Sequence, residues 1–288
     1  MSSYLSARLD IASTLDSGQT FGWQKSGEWY IGVISGLPIK IRKADIGIEY
    51  ECPEGQSELA SAELNTYFRL SDNLDEIYKT IGRDKLVNSA IESYNGMRIT
   101  YQDPWECLMS FICSSNSNIQ NIHKMVQRLS RAFGQKRFLG DSELWALPTS
   151  KELAAATEQD LRDLRLGFRA KYLYSSAQLV SSGDLNLNDL RTSPYEHARE
   201  ILTSLDGVGN KIADCVMLFS IGKLEAFPID RWIKRCLTDE YKLKSNSSYE
   251  LLSGWARDYF GRYAGYAQQY MFHHYRTSNR IAGKKVAL

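Results

Sequence analysis

The sequence predicts an α+β fold that is mainly helical and carries an antiparallel β-sheet near its N-terminus. From Phe21 to Cys52, aromatic and β-branched residues are broken by glycines, which is typical of antiparallel strands. From Ser61 onward, apolar residues recur at intervals of three to four positions, which indicates amphipathic helices. The chain of 288 residues can bury a large core and divide into subdomains. We expect an N-terminal sheet domain with flanking helices over residues 1–95 and helical domains over residues 96–288.

The sheet and the first helices show clear local patterns. Apolar and basic residues alternate from Ile39 to Arg42, which predicts a half-buried strand, and Ser35-Gly36 marks a turn before it. Helical spacing follows at Leu64, Tyr67, Phe68, Leu74, Ile77 and Ile81. The chain therefore passes from sheet to helix near residue 61.

Further helix boundaries follow along the chain. Asp103-Pro104 combines a capping side chain with a proline at the first helical position, so a helix begins there and continues to the polar turn at residues 114–118. Another helix begins near Ile119. Gly167-Phe168-Arg169 separates two helical segments, 161–166 and 170–180, and predicts a turn between them.

The run from Leu205 to Lys211 is the segment most informative about function. It joins two predicted helices, 193–205 and 211–221, and contains the glycine hairpin Gly207-Val208-Gly209. Because the glycines have no side chains, backbone amides at the start of the second helix can approach a phosphate closely. The hairpin therefore predicts a turn that holds a DNA strand. The structural alternative is a plain connection between helices, with Lys211 on a solvated surface.

An aspartate follows the second of these helices. The order of hairpin, Lys211, apolar helix and Pro228-Ile229-Asp230 favours catalysis over a purely structural role. A free lysine has a pKa of about 10.4 and is almost fully protonated at neutral pH, so a nucleophilic lysine must be activated. Burial and the positive end of a helix both disfavour the ammonium form. Asp230 would stabilise positive charge developing on the substrate and can also cap the helix predicted from 230 to 237.

Composition limits the classes to which the protein can belong. The net charge is only +1, so a positive DNA-binding face would have to be local. The five cysteines form no C-x-x-C pair and no metal-ligand spacing, which favours reduced thiols inside a cell. The sequence shows neither a signal peptide nor an apolar stretch of about 20 residues. We therefore expect an intracellular protein that does not enter a membrane.

The hairpin, the lysine and the aspartate together resemble the helix-hairpin-helix (HhH-GPD) superfamily of DNA glycosylases. In its bifunctional branch, the lysine attacks the anomeric carbon of a deoxyribose and expels the damaged base, and the aspartate assists. The resemblance assigns these catalytic roles to Lys211 and Asp230. Nothing after Cys236 could supply the four-cysteine iron-sulfur motif of the endonuclease III type, which disfavours that branch. The implied chemistry requires no metal and no redox cofactor, although a structural cation held by hairpin carbonyls stays open.

Four more stretches are similar to 8-oxoguanine DNA glycosylases of the eukaryotic type. They are Ser17-Gly18-Gln19-Thr20-Phe21 with Trp23, Gln102-Asp103-Pro104 through Asn116, Gly167-Phe168-Arg169-Ala170, and Ala264-Gly265-Tyr266-Ala267-Gln268 with Phe272. Together with the hairpin they span nearly the whole chain. The resemblance therefore implies the substrate as well as the reaction.

The resemblance implies a pocket for the extruded base. 8-Oxoguanine carries a ring N–H where guanine has an acceptor, so a carbonyl facing it binds the lesion and repels guanine. This carbonyl is assigned to Gly18, and stacking on the base to Phe272. Gln268 would read the Watson–Crick edge, and Cys215 would pack against the other face of the base. Cys215 follows Lys211 by one helical turn, so their spacing alone places both side chains on one helix face.

The resemblance also assigns residues to the opposite strand. Asn116 would fill the gap left by the extruded base. Asn116 and Arg169 would both contact the widowed cytosine, which is the base that has lost its pairing partner. Phe168 would act as a wedge. Two positions depart from the family pattern. Asn121 stands where the family has a cytosine-reading arginine, and Trp232 where it has a histidine. Because Asn121 is shorter and uncharged, we expect a weaker preference for cytosine opposite the lesion.

The sequence thus predicts a bifunctional DNA glycosylase and AP lyase of base excision repair. It would excise 8-oxoguanine from duplex DNA by lysine attack, Schiff base formation and β-elimination. We expect a monomer whose partner is double-stranded DNA containing 8-oxoguanine, in the cytoplasm of a prokaryote or the nucleus of a eukaryote. Two alternatives stay open: a helix-hairpin-helix glycosylase for another damaged base, and a non-catalytic helix-hairpin-helix DNA-binding protein.

Overall fold

A computed structural model describes residues 2–281, with side chains described for residues 2–278, and confirms the predicted α+β fold. Near the N-terminus lie β1 (Ser3–Leu5), β2 (Gln24–Ser26), β3 (Trp29–Ile34), β4 (Leu37–Lys43) and β5 (Ile48–Glu51). They form one antiparallel sheet in the order β1-β5-β4-β3-β2. Ser35 and Gly36, with φ values of 50° and 78°, form the predicted turn between β3 and β4.

Helices cover one face of this sheet. Helix α1 (Ile11–Leu15) precedes β2, and α2 (Ser57–Tyr67) follows β5. Ile39 and Ile41 are fully buried, and they belong to one apolar cluster with Leu64 and Phe68. The lysine and arginine that alternate with the two isoleucines are more exposed. The alternation in β4 therefore separates a core face from a solvent face, as predicted.

The rest of the described chain is mainly helical. The helices are α3 (Leu74–Ile81), α4 (Lys85–Ser93), α5 (Pro104–Cys113), α6 (Ile119–Phe133), α7 (Ser150–Ala154), α8 (Glu158–Asp163), α9 (Arg169–Ser182), α10 (Tyr195–Thr203), α11 (Asn210–Val216), α12 (Arg231–Asp239), α13 (Tyr249–Phe260) and α14 (Ala264–Ile281). A small hairpin of β6 (Lys136–Leu139) and β7 (Ser142–Trp145) follows α6, and short 3₁₀ turns occur at Asp189–Arg191 and Gly261–Tyr263.

A second apolar cluster holds these helices together. It runs from Phe21 and Leu74 to Tyr275, and therefore includes side chains of α3 and α4. Helix α14 packs against α3, α4, α12 and α13, and its Tyr266 and Tyr270 are fully buried. The domain division at residue 95 stays a prediction, and residues 282–288 of the second predicted domain lie outside the described part of the chain. No helix within residues 2–281 is long and apolar enough to cross a membrane.

Helix α11 differs from its prediction at its C-terminal end. A single helix was expected to reach Ile221, but the α-helix ends at Val216 and continues as a π-helical turn over Met217–Ile221. The Phe219 carbonyl accepts a hydrogen bond from the backbone N–H of Gln102 at 2.8 Å, outside the helical ladder. Gly222 then ends the turn with a φ of 89°. The π-helical turn thus coincides with a tertiary contact that the sequence pattern does not encode.

Candidate active site

A cavity of about 1110 Å³ opens between the turn after α1, the turn between α5 and α6, and the N-termini of α11 and α12. Its lining includes these predicted site residues: Gly18, Asn116, Gly209, Lys211, Asp230 and Phe272. The fold therefore brings together residues that lie far apart in the sequence. The cavity is large enough for a small organic group such as a nucleobase.

The hairpin joins α10 to α11, and its two glycines differ in role. Gly207 has a φ of 77°, and a Cβ on it would lie 2.2 Å from Cδ2 of Tyr172. Gly209 is exposed and extended, and a Cβ there would meet no described heavy atom within 4 Å. Val208 is buried between them, and its N–H donates to the Leu205 carbonyl at 3.0 Å. Gly207 is thus needed for the turn itself, and Gly209 leaves the start of α11 open to solvent.

Lys211 lies in the first turn of α11 with its amine inside the cavity. Its Nζ donates a hydrogen bond to Oγ of Ser114 at 3.0 Å and lies 5.1 Å from the centre of the Phe111 ring. Ser114 Oγ in turn donates to the Phe111 carbonyl at 2.6 Å, so its lone pairs are free to accept from the lysine. The end of α5 therefore holds the amine in a defined position.

Asp230 is the N-cap residue of α12. Its Oδ1 accepts a hydrogen bond from the backbone N–H of Ile233 at 2.8 Å, so the predicted capping role is confirmed. Desolvation raises the pKa of the Asp230 carboxyl, whereas this hydrogen bond and the charge of Lys211 lower it. Because the raising effect prevails, Asp230 is a stronger base than an ordinary aspartate.

Gly18 and Phe272 also line the cavity, although they lie near opposite ends of the sequence. Gly18 has a φ of 83°, and a Cβ on it would lie 2.6 Å from Cδ1 of Ile119. The positive φ therefore favours glycine, and a larger residue would also push the end of the Ile119 side chain aside. Phe272 is half-buried, and the guanidinium of Arg276 lies 5.0 Å from the centre of its ring.

Cys215 and Gln268 are placed differently from the other predicted base-recognition residues. Both are buried, at 3% and 4% exposure, and neither lines the cavity. Burial raises the pKa of the Cys215 thiol to about 12, and the positive charge of Lys211 opposes that change. Both residues belong to α11, four positions apart, which places them on one helix face. The Oε1 atom of Gln268 is buried without a hydrogen-bond partner among the described residues.

The residues predicted for the opposite strand lie together at the surface. Asn116 is exposed with a φ of 46°, and Phe168 is 49% exposed at the start of α9. Arg169 donates from Nε to the Ser115 carbonyl at 3.0 Å and from Nη2 to the Asn116 carbonyl at 3.3 Å. Its guanidinium also lies 4.5 Å from the centre of the Phe168 ring. In this structure Arg169 therefore supports the turn that carries Asn116.

Comparisons with known proteins show the family of the chain. Residues 4–108 match the 8-oxoguanine DNA glycosylase N-terminal domain, and residues 109–255 match the HhH-GPD superfamily base excision DNA repair protein. An N-glycosylase/DNA lyase of Saccharomyces cerevisiae is 32% identical over 269 residues, which cover 84% of this chain and 71% of that protein. The chain belongs to the 8-oxoguanine DNA glycosylase family.

A further relative is similar in sequence, and a solved structure is similar in fold. The N-glycosylase/DNA lyase OGG1 of Arabidopsis thaliana is 31% identical over 281 residues, covering 92% of this chain and 76% of that protein. The 8-oxoguanine glycosylase/lyase of Clostridium acetobutylicum, solved with double-stranded DNA containing cytosine opposite 8-oxoG, superposes with a TM-score of 0.88. It is 32% identical, and the match covers 95% of this chain and 93% of that one. The predicted membership of the family is confirmed.

The two departures from the 8-oxoguanine DNA glycosylase pattern take different positions. Trp232 lies in the first turn of α12, half-buried, and lines the cavity next to Asp230. Asn121 is exposed in the first turn of α6 and does not line the cavity. Trp232 can therefore act on a group inside the cavity, whereas Asn121 can act only on a partner at the outer surface.

Sequence reasoning missed some residues of this site. Ser114 was predicted only as part of a polar turn and of the stretch similar to the family, with no role of its own, although it binds Lys211. Arg276 and Tyr249 also line the cavity. No group of three or more His, Cys, Asp or Glu side chains among residues 2–278 is arranged to hold a metal ion.

Proposed function

We propose that this protein is a bifunctional 8-oxoguanine DNA glycosylase and AP lyase of base excision repair. The observation that carries the proposal is that Lys211, Asp230, Gly18 and Phe272 line one cavity. The lysine amine and the aspartate carboxyl group thus share one cavity with the Gly18 backbone and the Phe272 ring. The family to which the chain belongs supports the same conclusion.

The proposed reaction begins at the amine of Lys211. Once it has lost a proton, its nitrogen attacks C1′ of the damaged nucleotide, the C–N bond to the base breaks, and the base leaves with the bonding electrons. Asp230 stabilises positive charge that develops on the sugar during this step. Opening of the sugar ring gives a Schiff base, β-elimination breaks the C3′–O bond, and water releases the lysine.

The proposed base pocket combines residues from near both ends of the sequence. The Gly18 carbonyl would accept a hydrogen bond from the ring N–H of the lesion, and Phe272 would stack on the base. The buried Oε1 of Gln268 supports a role in reading the base, because an unpaired buried acceptor is costly unless a ligand satisfies it. Cys215 would pack against the base from beneath Lys211.

The proposed DNA surface consists of the hairpin and the α5–α6 turn. Gly207, Val208 and Gly209 would present the start of α11 to a phosphate. Asn116 and Arg169 would contact the widowed cytosine, and the exposed ring of Phe168 would wedge into the duplex. We propose that one copy of the chain carries out this reaction inside the cell where DNA is present.

Borohydride trapping on duplex DNA containing 8-oxoguanine tests the proposal. We expect a covalent adduct with the wild-type protein and none with Lys211→Gln. Lys234→Gln is a matched control, because Lys234 is an exposed lysine that lines the same cavity. This control should retain the adduct.

The other outcomes identify the alternatives. DNA binding without any adduct would contradict the proposal and indicate a non-catalytic DNA-binding protein. An adduct that forms only with alkylated bases or oxidised pyrimidines would contradict the assigned substrate. An adduct that survives Lys211→Gln and is lost in Lys234→Gln would contradict the assigned nucleophile.

A further inference from the structure

A fully buried carboxylate lies on the helix that carries Lys211. Asp214 is 0% exposed in α11, one helical turn beyond the lysine. Burial raises the pKa of its carboxyl, and two hydrogen bonds and the charges of Arg199 and Arg257 oppose that change. A buried carboxylate is destabilising unless its oxygens are paired. Here each oxygen is paired with a tyrosine.

The two tyrosines reach Asp214 from different helices. Tyr195 of α10 donates its hydroxyl to Oδ1 at 2.7 Å, and Tyr249 of α13 donates to Oδ2 at 2.6 Å. The Tyr249 hydroxyl has a second partner, because it accepts a hydrogen bond from the backbone N–H of Ile229 at 3.2 Å. Since its hydrogen is directed at Asp214, its lone pairs are available for that amide.

These bonds connect α11, which carries Lys211, to the segment that carries Asp230. Ile229 directly precedes Asp230, which opens α12. The side chain of Asp230 is bonded to its own helix, but the Pro228–Ile229 peptide, whose N–H binds Tyr249, lies outside any helix. The path from α11 through Asp214 and Tyr249 to this peptide ties the two catalytic elements together.

We propose that Asp214 and Tyr249 are positioning residues that hold the carboxylate of Asp230 in register with the amine of Lys211. This inference rests on the proposed function, in which these two groups act on one sugar. Attack on C1′ requires the amine and the stabilising carboxylate to be aligned with the same carbon. The network supplies that alignment through the hydrogen bond from Ile229 N–H to Tyr249, next to Asp230.

The chain provides a matched pair of variants. Tyr249→Phe removes the bond to Asp214 and the bond to Ile229, whereas Tyr195→Phe removes a bond to the same carboxylate only. Within residues 2–278, Tyr195 makes no hydrogen bond to the segment 228–230. Each variant loses one hydroxyl bond to a buried carboxylate, and Tyr249→Phe also leaves the Ile229 N–H without its partner, so the loss of Tm should be larger for Tyr249→Phe.

Single-turnover release of 8-oxoguanine separates positioning from stability. We expect Tyr249→Phe to slow release by about 10- to 100-fold, as a small misplacement of catalytic groups does, whereas Tyr195→Phe stays within about twofold of wild type. The Kd for a duplex with a tetrahydrofuran abasic-site analogue, which cannot form a Schiff base, should stay unchanged in both variants.

Other outcomes would overturn the inference. These are equal rates for the two tyrosine variants, or a loss in Tyr249→Phe that resides entirely in Kd. If Tyr249→Phe does not fold, Asp214→Asn, which keeps the side-chain volume, takes its place, and a wild-type rate in that variant contradicts the inference. A wild-type protein that releases no 8-oxoguanine would contradict the proposed function itself, before any variant is compared.

Discussion

Replacing Gly209 by alanine adds a methyl group where we expect the hairpin to meet a DNA phosphate. The residue has a φ of −90° and a ψ of 177°, which alanine adopts without strain, and the new Cβ would meet no described heavy atom within 4 Å. The main cost to folding is the loss of a favourable N-cap residue, which is about 0.5–1 kcal/mol. We therefore expect Tm to fall by only about 1–2 °C.

Gly207→Ala is the matched control for this change. Its φ of 77° forces alanine into the left-handed region, at about 1–2 kcal/mol. The new Cβ would also lie 2.2 Å from Cδ2 of Tyr172, so the ring must move. This variant should lose more Tm than Gly209→Ala does. The pair thus separates a glycine required by the turn from a glycine required by the ligand.

The effect of Gly209→Ala should appear in DNA affinity. A hydrogen bond from a backbone N–H to a charged phosphate contributes about 1.5–3 kcal/mol, so its loss weakens Kd by about 10- to 100-fold. The loss should be equal for undamaged and lesion-containing duplexes, because phosphate contacts carry no sequence information. Fluorescence anisotropy with a labelled duplex at constant salt measures both values. An unchanged Kd would refute the role of Gly209 at the phosphate.

Four further outcomes are expected. Ser114→Ala should slow base release by about tenfold with little change in DNA affinity, because the Lys211 amine loses its hydrogen bond to Ser114 Oγ at 3.0 Å. A wild-type rate in single-turnover assays would contradict this. Asp230→Asn should keep DNA binding but slow excision by about 10²- to 10³-fold, and unchanged excision would remove Asp230 from the mechanism. Desolvation and the charge of Asp103 raise the pKa of Glu106 to about 8, so Glu106 should lower stability as pH rises from about 4.5 to about 8. Because the raised pKa values of Asp214 and Asp230 contribute to the same trend, Glu106→Gln should reduce the fall in Tm without removing it, and Tm–pH curves parallel to those of the wild type would contradict this. Because Asn121 is uncharged, excision should depend weakly on the base opposite the lesion, and strict cytosine dependence in paired duplexes would show this to be wrong.

Local patterns in the sequence predicted most of the fold correctly. The strand at Ile39–Arg42, the helix start at Asp103-Pro104 and the helix starting at Ile119 all occur as expected. These features depend on periodicity and capping, which act within a few residues. The π-helical turn after Val216 was missed, because the contact between Phe219 and Gln102 that accompanies it is long-range.

The sequence predicted some residues of the candidate site and missed others. Lys211 and Asp230 could be named because their order after the hairpin is a linear pattern. Asp214 left a weaker signal, as a charged residue inside the apolar run 212–216. Ser114 and Tyr249 left none, since their roles depend on contacts made across the fold.

By itself, the sequence determined the order of sheet and helices, the family, and the pair of residues expected to carry the chemistry. These properties are linear: they depend on spacing and residue type along the chain. Only the tertiary structure decided that Gly207 serves the turn while Gly209 faces solvent, and that Arg169 supports the turn carrying Asn116. It also decided that Asp214 and Tyr249 link the nucleophile's helix to Asp230. Such relations exist only once distant segments have packed, because hydrogen bonds and steric contacts depend on distance in space.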